Sequence, residues 1–115
     1  MLGLPQVRRY FLYRDATDMR KSFNGLGGLV INEMGGKLLS GDGFVFVNKR
    51  RTMLKILVWD RTGFVIYYKR LSSGTFEVPV GSSATSMEVS VAKIMLILEG
   101  VSLDSVKWRK RYQRA

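Results

Sequence analysis

The stretch that most constrains the fold is Gly43–Leu71, in which three apolar runs follow one another with short polar breaks between them. The runs are rich in β-branched and aromatic residues, which favour a pleated surface, and turn-forming residues bound them. This pattern predicts a three-stranded antiparallel meander. The runs are Phe44–Val47, Met53–Trp59 and Phe64–Tyr68, and the breaks are Asn48–Thr52 and Asp60–Gly63.

The second break predicts a three-residue hairpin loop, with Asp60 opening a type I turn and Gly63 in the left-handed conformation. In that register Asp60 pairs with Phe64. Because side chains alternate along a strand, one predicted face is apolar core and the other mixes lysines with large aromatics. The predicted core face holds Leu54, Ile56, Val58, Phe64, Ile66 and Tyr68, and the mixed face holds Lys55, Leu57, Trp59, Val65, Tyr67 and Lys69.

The mixed face admits several interpretations. An aromatic and basic sheet face can stack bases and hold phosphates, which makes Lys55 and Lys69 candidate nucleic-acid contacts. Trp59 and Tyr67 could instead dock a protein partner. A helix could also cover this face, with the lysine stems lying along apolar surface.

Spacing and capping signals predict four further elements. Thr17 can cap a first helix, and Thr85 with Glu88 has the spacing of a capping box. Gly100 suits the position just past the second helix. The elements are a strand at Arg8–Tyr13, a helix at 17–34, a short strand at Thr75–Val78 and a helix at 85–99.

The predicted fold class is therefore α+β, with a single antiparallel meander sheet of four to five strands and two helices packed against it. The chain has 115 residues, which fits one domain. We expect that domain to span residues 1–106, followed by a basic tail at 107–115.

Composition excludes several kinds of site. The chain has no cysteine and no histidine, so it has no disulfide, no thiolate zinc site and no Ser–His or Cys–His nucleophile system. Neither a signal peptide nor an apolar run long enough to span a bilayer is visible, so we expect a cytoplasmic protein without a membrane partner.

Charge points to a polyanionic partner. The chain carries 19 Lys and Arg against 9 Asp and Glu, a net charge of +10, and nucleic acid is the commonest partner of so basic a domain. Besides Lys55 and Lys69, the candidate contacts are Lys49, Arg50 and Arg51 in the first turn, Arg20 and Lys21 on the first helix, and Lys107, Arg109, Lys110 and Arg111 in the tail. The tail could also be a solvated terminus with Trp108 packed on the core.

The carboxylates do not suggest an active site. A two-metal nuclease centre needs two or three converging carboxylates, whereas Asp60, Asp18 and Glu88 have predicted structural roles in a turn and at helix starts. No P-loop or dinucleotide-binding pattern occurs. We therefore predict a non-enzyme without cofactor or metal, and a small metal-dependent nuclease is the weakest alternative.

Four short motifs in order carry a family resemblance. Together with the intervening segments they cover about Arg8 to Val101. The chain departs from the family's pattern at Ser22 and Asn24, where that pattern has Gly and Asp. The chain resembles the TnpB-type (Orf2) accessory protein of the insertion-sequence sixty-six family of bacterial transposable elements. The matching residues are Thr17, Asp18, Met19, Arg20, Lys21, Gly25 and Leu26; Phe44, Phe46, Lys55, Leu57, Trp59, Asp60 and Gly63; Tyr67, Tyr68, Lys69, Arg70 and Leu71; and Leu98, Glu99 and Gly100.

The resemblance implies a role in transposition, beside a separate, larger transposase to which the recombination chemistry is attributed. Two main hypotheses follow. The chain could bind DNA at the ends of the element, mainly through phosphates and with weak sequence preference. Alternatively, it could be a subunit that docks on the transposase or another accessory protein through the mixed sheet face.

Overall fold

The computed structural model describes residues 6–79 and 83–100. Five strands in this part of the chain form one sheet in the order β4-β3-β2-β1-β5, and two helices complete an α+β fold. The elements are β1 (Tyr10–Tyr13), α1 (Phe23–Asn32), β2 (Gly43–Val47), β3 (Met53–Asp60), β4 (Gly63–Arg70), β5 (Ser86–Val89) and α2 (Val91–Leu98).

The predicted meander of β2, β3 and β4 is confirmed, since these strands pair antiparallel in sequence order. The prediction of a purely antiparallel sheet is wrong, because β1 runs parallel to β2. Parallel neighbours require a crossover connection, and the chain between these two strands contains α1. The sheet is therefore mixed, with β5 pairing antiparallel on the other side of β1.

The predicted register of the β3–β4 hairpin is wrong by one residue. Asp60 pairs with Gly63, which leaves a two-residue loop in which the Thr62 N–H donates to the Asp60 carbonyl. The left-handed residue is Arg61, with φ of 48°, and not Gly63.

A slip of one residue moves every side chain of a strand to the opposite face. Phe64, Ile66 and Tyr68 therefore lie on the same face as Lys55, Leu57 and Trp59, with which they pair. Val65, Tyr67 and Lys69 lie on the face of Leu54, Ile56 and Val58. The predicted assignment of β3 side chains to the two faces of the sheet is correct, and the predicted assignment of β4 side chains is reversed.

The two helices cover opposite faces of the sheet, so the core has two halves. On one face, Leu26 and Val30 of α1 pack with Tyr13, Phe44, Phe46 and Leu57. On the other, Ile94, Ile97 and Leu98 of α2 pack with residues that include Val45, Leu54, Ile56 and Val58. The central run 54–58 of β3 is buried throughout, because it contributes to both halves.

The first helix is shorter than predicted, because the backbone of residues 17–21 bonds elsewhere. The Thr17 N–H donates to the Val47 carbonyl at 2.9 Å, and the Asp18 carboxylate accepts the Arg20 N–H at 2.9 Å. Such side-chain turns compete with helix formation. The segment is a turn against the end of β2, and the helix begins at Phe23.

The predicted capping box at Thr85 and Glu88 is wrong, because residues 86–89 form β5 on the edge of β1. The second helix instead begins after Ser90, whose side chain accepts the Lys93 N–H at 3.2 Å. Its predicted end is confirmed, since Gly100 has φ of 75° and its N–H donates to the Ile97 carbonyl.

No helix in residues 6–79 and 83–100 is both long and apolar enough to cross a membrane.

The predicted strand at Thr75–Val78 is wrong, because this segment is irregular. Phe76 is fully buried in the half of the core covered by α2, and its N–H donates to the Arg51 carbonyl at 2.6 Å. Phe76 therefore links this segment to the turn between β2 and β3, residues 48–52.

The hairpin geometry predicts opposite effects for two matched substitutions. Arg61→Val places a β-branched residue at positive φ and should lower the free energy of unfolding by about 1–3 kcal/mol. Gly63→Val should be neutral or stabilising, since Gly63 begins a strand and a Cβ there meets open space. Urea denaturation midpoints of the two variants check this. A large loss of stability for Gly63→Val alone would instead support the predicted three-residue loop.

Candidate nucleic-acid interface

The first hairpin turn, Asn48–Thr52, presents three consecutive cations on a fixed backbone. The Asn48 side chain oxygen accepts the N–H groups of Thr52 at 2.8 Å and Met53 at 3.0 Å, and its amide donates to the Thr52 hydroxyl. The Arg51 N–H donates to the Asn48 carbonyl at 3.0 Å, and Arg51 takes a left-handed φ of 58°. The turn is thus held by its own polar residues and by Phe76.

Lys49, Arg50 and Arg51 are all exposed, as expected for this turn. None of them has a carboxylate within ion-pair distance among the described residues, where the ion pairs involve Arg9, Arg14, Arg20 and Arg61. Three like charges in one turn repel one another and stabilise nothing local. The turn is therefore a concentrated positive charge that is open to solvent.

The sheet topology adds cations at the same end. Arg14 follows β1, Arg70 ends β4 opposite Met53, and the turn at 17–21 is bonded to Val47 at the end of β2. We call this set the cationic end of the sheet. It comprises Arg14, Arg20, Lys21, Lys49, Arg50, Arg51 and Arg70.

Arg14 and Arg70 were not among the sequence-predicted contacts. The signal available in the sequence was their position directly after an apolar strand. That signal becomes useful only when the strand order is known, because the order decides which strand ends share an edge.

Arg20 and Asp18 form a pair, which reduces the charge that Arg20 can offer. The guanidinium donates to both carboxylate oxygens of Asp18, the shortest distance being 2.7 Å. These hydrogen bonds lower the pKa of Asp18 from 3.8 to about 2. The stability that the pair contributes is present above pH about 4 and is lost as the pH falls towards 2.

Lys55 lies inside the protein, contrary to its predicted role as a phosphate contact. The residue is 7% exposed, and its ammonium donates to the carbonyls of Met19 and Lys21, each at 2.8 Å. The ammonium also lies 4.6 Å from the centre of the Tyr68 ring. Lys55 therefore holds the 17–21 turn against the sheet, and its charge is not presented to a phosphate in solvent.

Lys69 has a comparable structural contact. Its ammonium donates to the Leu98 carbonyl at 2.6 Å, at the C-terminal end of α2. A cation is favourable there because the last carbonyls of a helix carry partial negative charge. The half-buried Lys69 therefore ties β4 to α2, on the face opposite to Lys55.

The predicted docking pair does not share a surface. Trp59 lies on the face covered by α1, in an edge-on contact with Phe64 at 4.9 Å. Tyr67 lies on the face covered by α2 and packs against that half of the core. The one-residue shift of register separates them, so the mixed face proposed for docking does not exist.

The tail residues Lys107, Arg109, Lys110 and Arg111 lie outside the described residues. Within residues 6–79 and 83–100, no group of three His, Cys, Asp or Glu side chains is placed to hold a metal ion.

Two depressions flank the first hairpin turn. A cleft of about 240 Å³ has an apolar floor that includes Leu12, Val47 and Met87, and a rim of Arg14, Lys49 and Arg51. On the other side of Lys49, an open groove runs between the 16–20 segment and the turn, with Met53 and Tyr68 at its base. The cationic end thus offers concave surface as well as charge.

Comparison with known protein families identifies the family of this chain. A protein-family profile described as "IS66 Orf2 like protein" matches residues 8–108, which is most of the chain. The chain belongs to the IS66 Orf2 like family. The predicted resemblance is thereby confirmed, and membership indicates an accessory protein associated with an insertion sequence.

Two curated relatives of this IS66 Orf2 like protein come from Sinorhizobium fredii (strain NBRC 101917 / NGR234). "Uncharacterized protein y4jC" is 31% identical over 114 residues, covering 99% of this chain and 96% of the relative. "Uncharacterized protein y4hO" is 30% identical over 101 residues, covering 88% and 87%. No solved structure matches this chain significantly.

The role of Lys55 can be tested by removing its charge. Lys55→Met should keep the stem packed but leave the Met19 and Lys21 carbonyls without their donor, at a cost of about 1–3 kcal/mol in the free energy of unfolding. Amide exchange in residues 17–21 should also accelerate. Lys93→Met, at an exposed helix position, serves as control and should change stability by no more than about 0.5 kcal/mol.

Proposed function

We propose that this IS66 Orf2 like protein is a non-catalytic accessory protein of transposition that binds DNA through phosphate contacts at the cationic end of the sheet. The observation that carries the proposal is the exposed Lys49–Arg51 turn, which has no carboxylate partner among the described residues. A polyanion supplies the compensation that the turn lacks. Phosphates are spaced regularly along DNA, so a row of cations can contact several at once.

The clustering of unpaired cations supports this location. At the opposite end, Arg9 donates to the buried Asp42 at 3.2 Å, and Arg61 lies 3.9 Å from Asp60. At the cationic end, Arg14 and Arg20 are likewise paired, with Asp15 and Asp18. Lys49, Arg50 and Arg51 differ in being three adjacent exposed cations without a carboxylate partner among the described residues, whereas the exposed cations Arg8, Lys37 and Lys93 of the opposite end lie on separate segments.

The contacts proposed are to phosphate rather than to base edges, which implies weak sequence preference. The turn is a short loop between strands. Within the described helices, α1 contains no Lys or Arg and α2 contains only Lys93, so neither presents a row of cations that could enter a groove. We include the tail cations Lys107, Arg109, Lys110 and Arg111 in the proposal on their charge alone. The transposase and other proteins of the element are the proposed protein partners.

A charge-matched pair of variants tests the location of binding. Changing Lys49, Arg50 and Arg51 to Ala should weaken binding to all duplex sequences similarly. It should also flatten the slope of log K against log salt by about 0.9 for each phosphate that the protein no longer neutralises. The Ala at position 51 adds no backbone strain that Arg51 does not already have, because both side chains carry a Cβ.

The control changes Arg8, Lys37 and Lys93 to Ala, which removes the same charge from exposed positions at the opposite end of the sheet. Both triple variants reduce the net charge from +10 to +7. Fluorescence anisotropy titrations at several salt concentrations should show the flattened slope only for the first variant. Equal slopes for both variants would mean that binding follows net charge and has no defined site.

Asp18 offers a change in the opposite direction. Asp18→Asn removes a negative charge from the cationic end and releases the Arg20 guanidinium from its pair. DNA binding should become tighter, and the salt slope should steepen by up to about 0.9 if Arg20 then takes a phosphate. Unchanged affinity in the same titration would place Arg20 outside the interface.

A further inference from the structure

Tyr68 is an exposed aromatic residue beside the cationic end. It is 51% exposed, although it stands in a strand whose neighbouring positions are mostly half-buried. It forms part of the base of the open groove, together with Met53, whose sulfur lies 3.2 Å from the Tyr68 hydroxyl. One residue of β4 thus presents aromatic surface to solvent where an apolar core residue was predicted.

The Tyr68 ring is held in place from below. The Lys55 ammonium lies 4.6 Å from the ring centre on the protein side, where a cation is attracted by the negative face of the ring. The same ammonium fixes the Met19 and Lys21 carbonyls, which belong to the wall of the groove and the turn beside it. A single buried charge therefore organises both the base and one wall of this groove.

The rim of the groove carries the charges that a nucleotide requires. Lys49 and Arg50 line one side, and the Asp18–Arg20 pair lines the other. Proteins that bind single-stranded nucleic acid combine aromatic side chains, on which bases stack, with cations that contact the backbone. In an intact duplex the base faces are covered by their neighbours, so a stacking site requires an unpaired base.

We propose that this groove binds an unpaired nucleotide of DNA, with its base stacked on Tyr68 and its phosphate held by Lys49 and Arg50. The inference rests on the proposed DNA binding and specifies its substrate as DNA with a single-stranded segment. Lys55 acts as a positioning residue beneath the ring, and Arg50 and Lys49 supply the contacts shared with duplex binding.

Two DNA probes test the inference with the full chain. One is a blunt duplex, and the other is the same duplex with a short unpaired 3′ extension that contains 2-aminopurine. The unaltered protein should bind the extended probe more tightly and quench the 2-aminopurine fluorescence. Tyr68→Leu should weaken binding of the extended probe roughly ten- to a hundredfold, while affinity for the blunt duplex stays within about twofold.

Two controls separate stacking from a general effect on the fold. Tyr68→Phe keeps the ring and should keep both the preference and the quenching. Phe23→Leu removes another exposed aromatic, on α1, and should change neither. Because the quenching is measured on the unaltered protein, it tests stacking even if Tyr68→Leu does not fold.

The outcomes distinguish this inference from the function on which it rests. If the protein binds the blunt duplex with the expected salt slope but shows no preference or quenching for the extension, the groove is not a nucleotide site and the DNA-binding proposal stands. Equal reductions in affinity for both probes with Tyr68→Leu would also overturn the inference. No binding of either probe at low salt would overturn both proposals.

Discussion

The pairing of Asp60 with Gly63 determines which side chains of β4 lie on each face of the sheet. This pair sets the register of β3 and β4, and the register decides which β4 side chains face each helix. It places Ile66 under α1 and Tyr67 under α2, and it puts Tyr68 beside the Lys55 ammonium. A shift of one residue would bury Tyr68 among aliphatic side chains and bring Tyr67 to the groove, so the proposed site depends on a two-residue loop.

The strands were predictable, but their arrangement was only partly so. The runs in β2, β3 and β4 are long, apolar and bounded by turn residues, and local pattern is enough to identify such strands. The register was missed because Gly63 is the obvious candidate for a left-handed conformation, whereas the structure gives that conformation to Arg61. Strand β5 was missed because the spacing of Thr85 and Glu88 fits a helix start, and only the open edge of β1 makes a strand favourable there.

In the candidate site, too, features set by neighbouring residues were predictable from the sequence, whereas contacts between residues far apart in the sequence were not. The exposure of Lys49–Arg51 was predictable, because a hairpin turn that joins two buried strands must face solvent. The positions of Lys55 and Lys69 were not, because each ammonium bonds a carbonyl that lies far away in the sequence, at Met19, Lys21 or Leu98. Arg14 and Arg70 likewise join the cationic end only through the strand order, which local pattern does not contain.

The place of β1 in the sheet has a consequence for synthesis of the protein. This strand is made first, yet it ends between β2 and β5, and its pairing with β5 joins residues from opposite ends of the described chain. A chain emerging from the ribosome therefore exposes an unpaired edge of β1 until residues 86–89 have been added. Non-local pairing of this kind slows folding and leaves a strand edge open to other chains in the meantime. Premature termination before β5 would produce a fragment with a persistent aggregation site at the edge of β1, even though the meander of β2, β3 and β4 is complete.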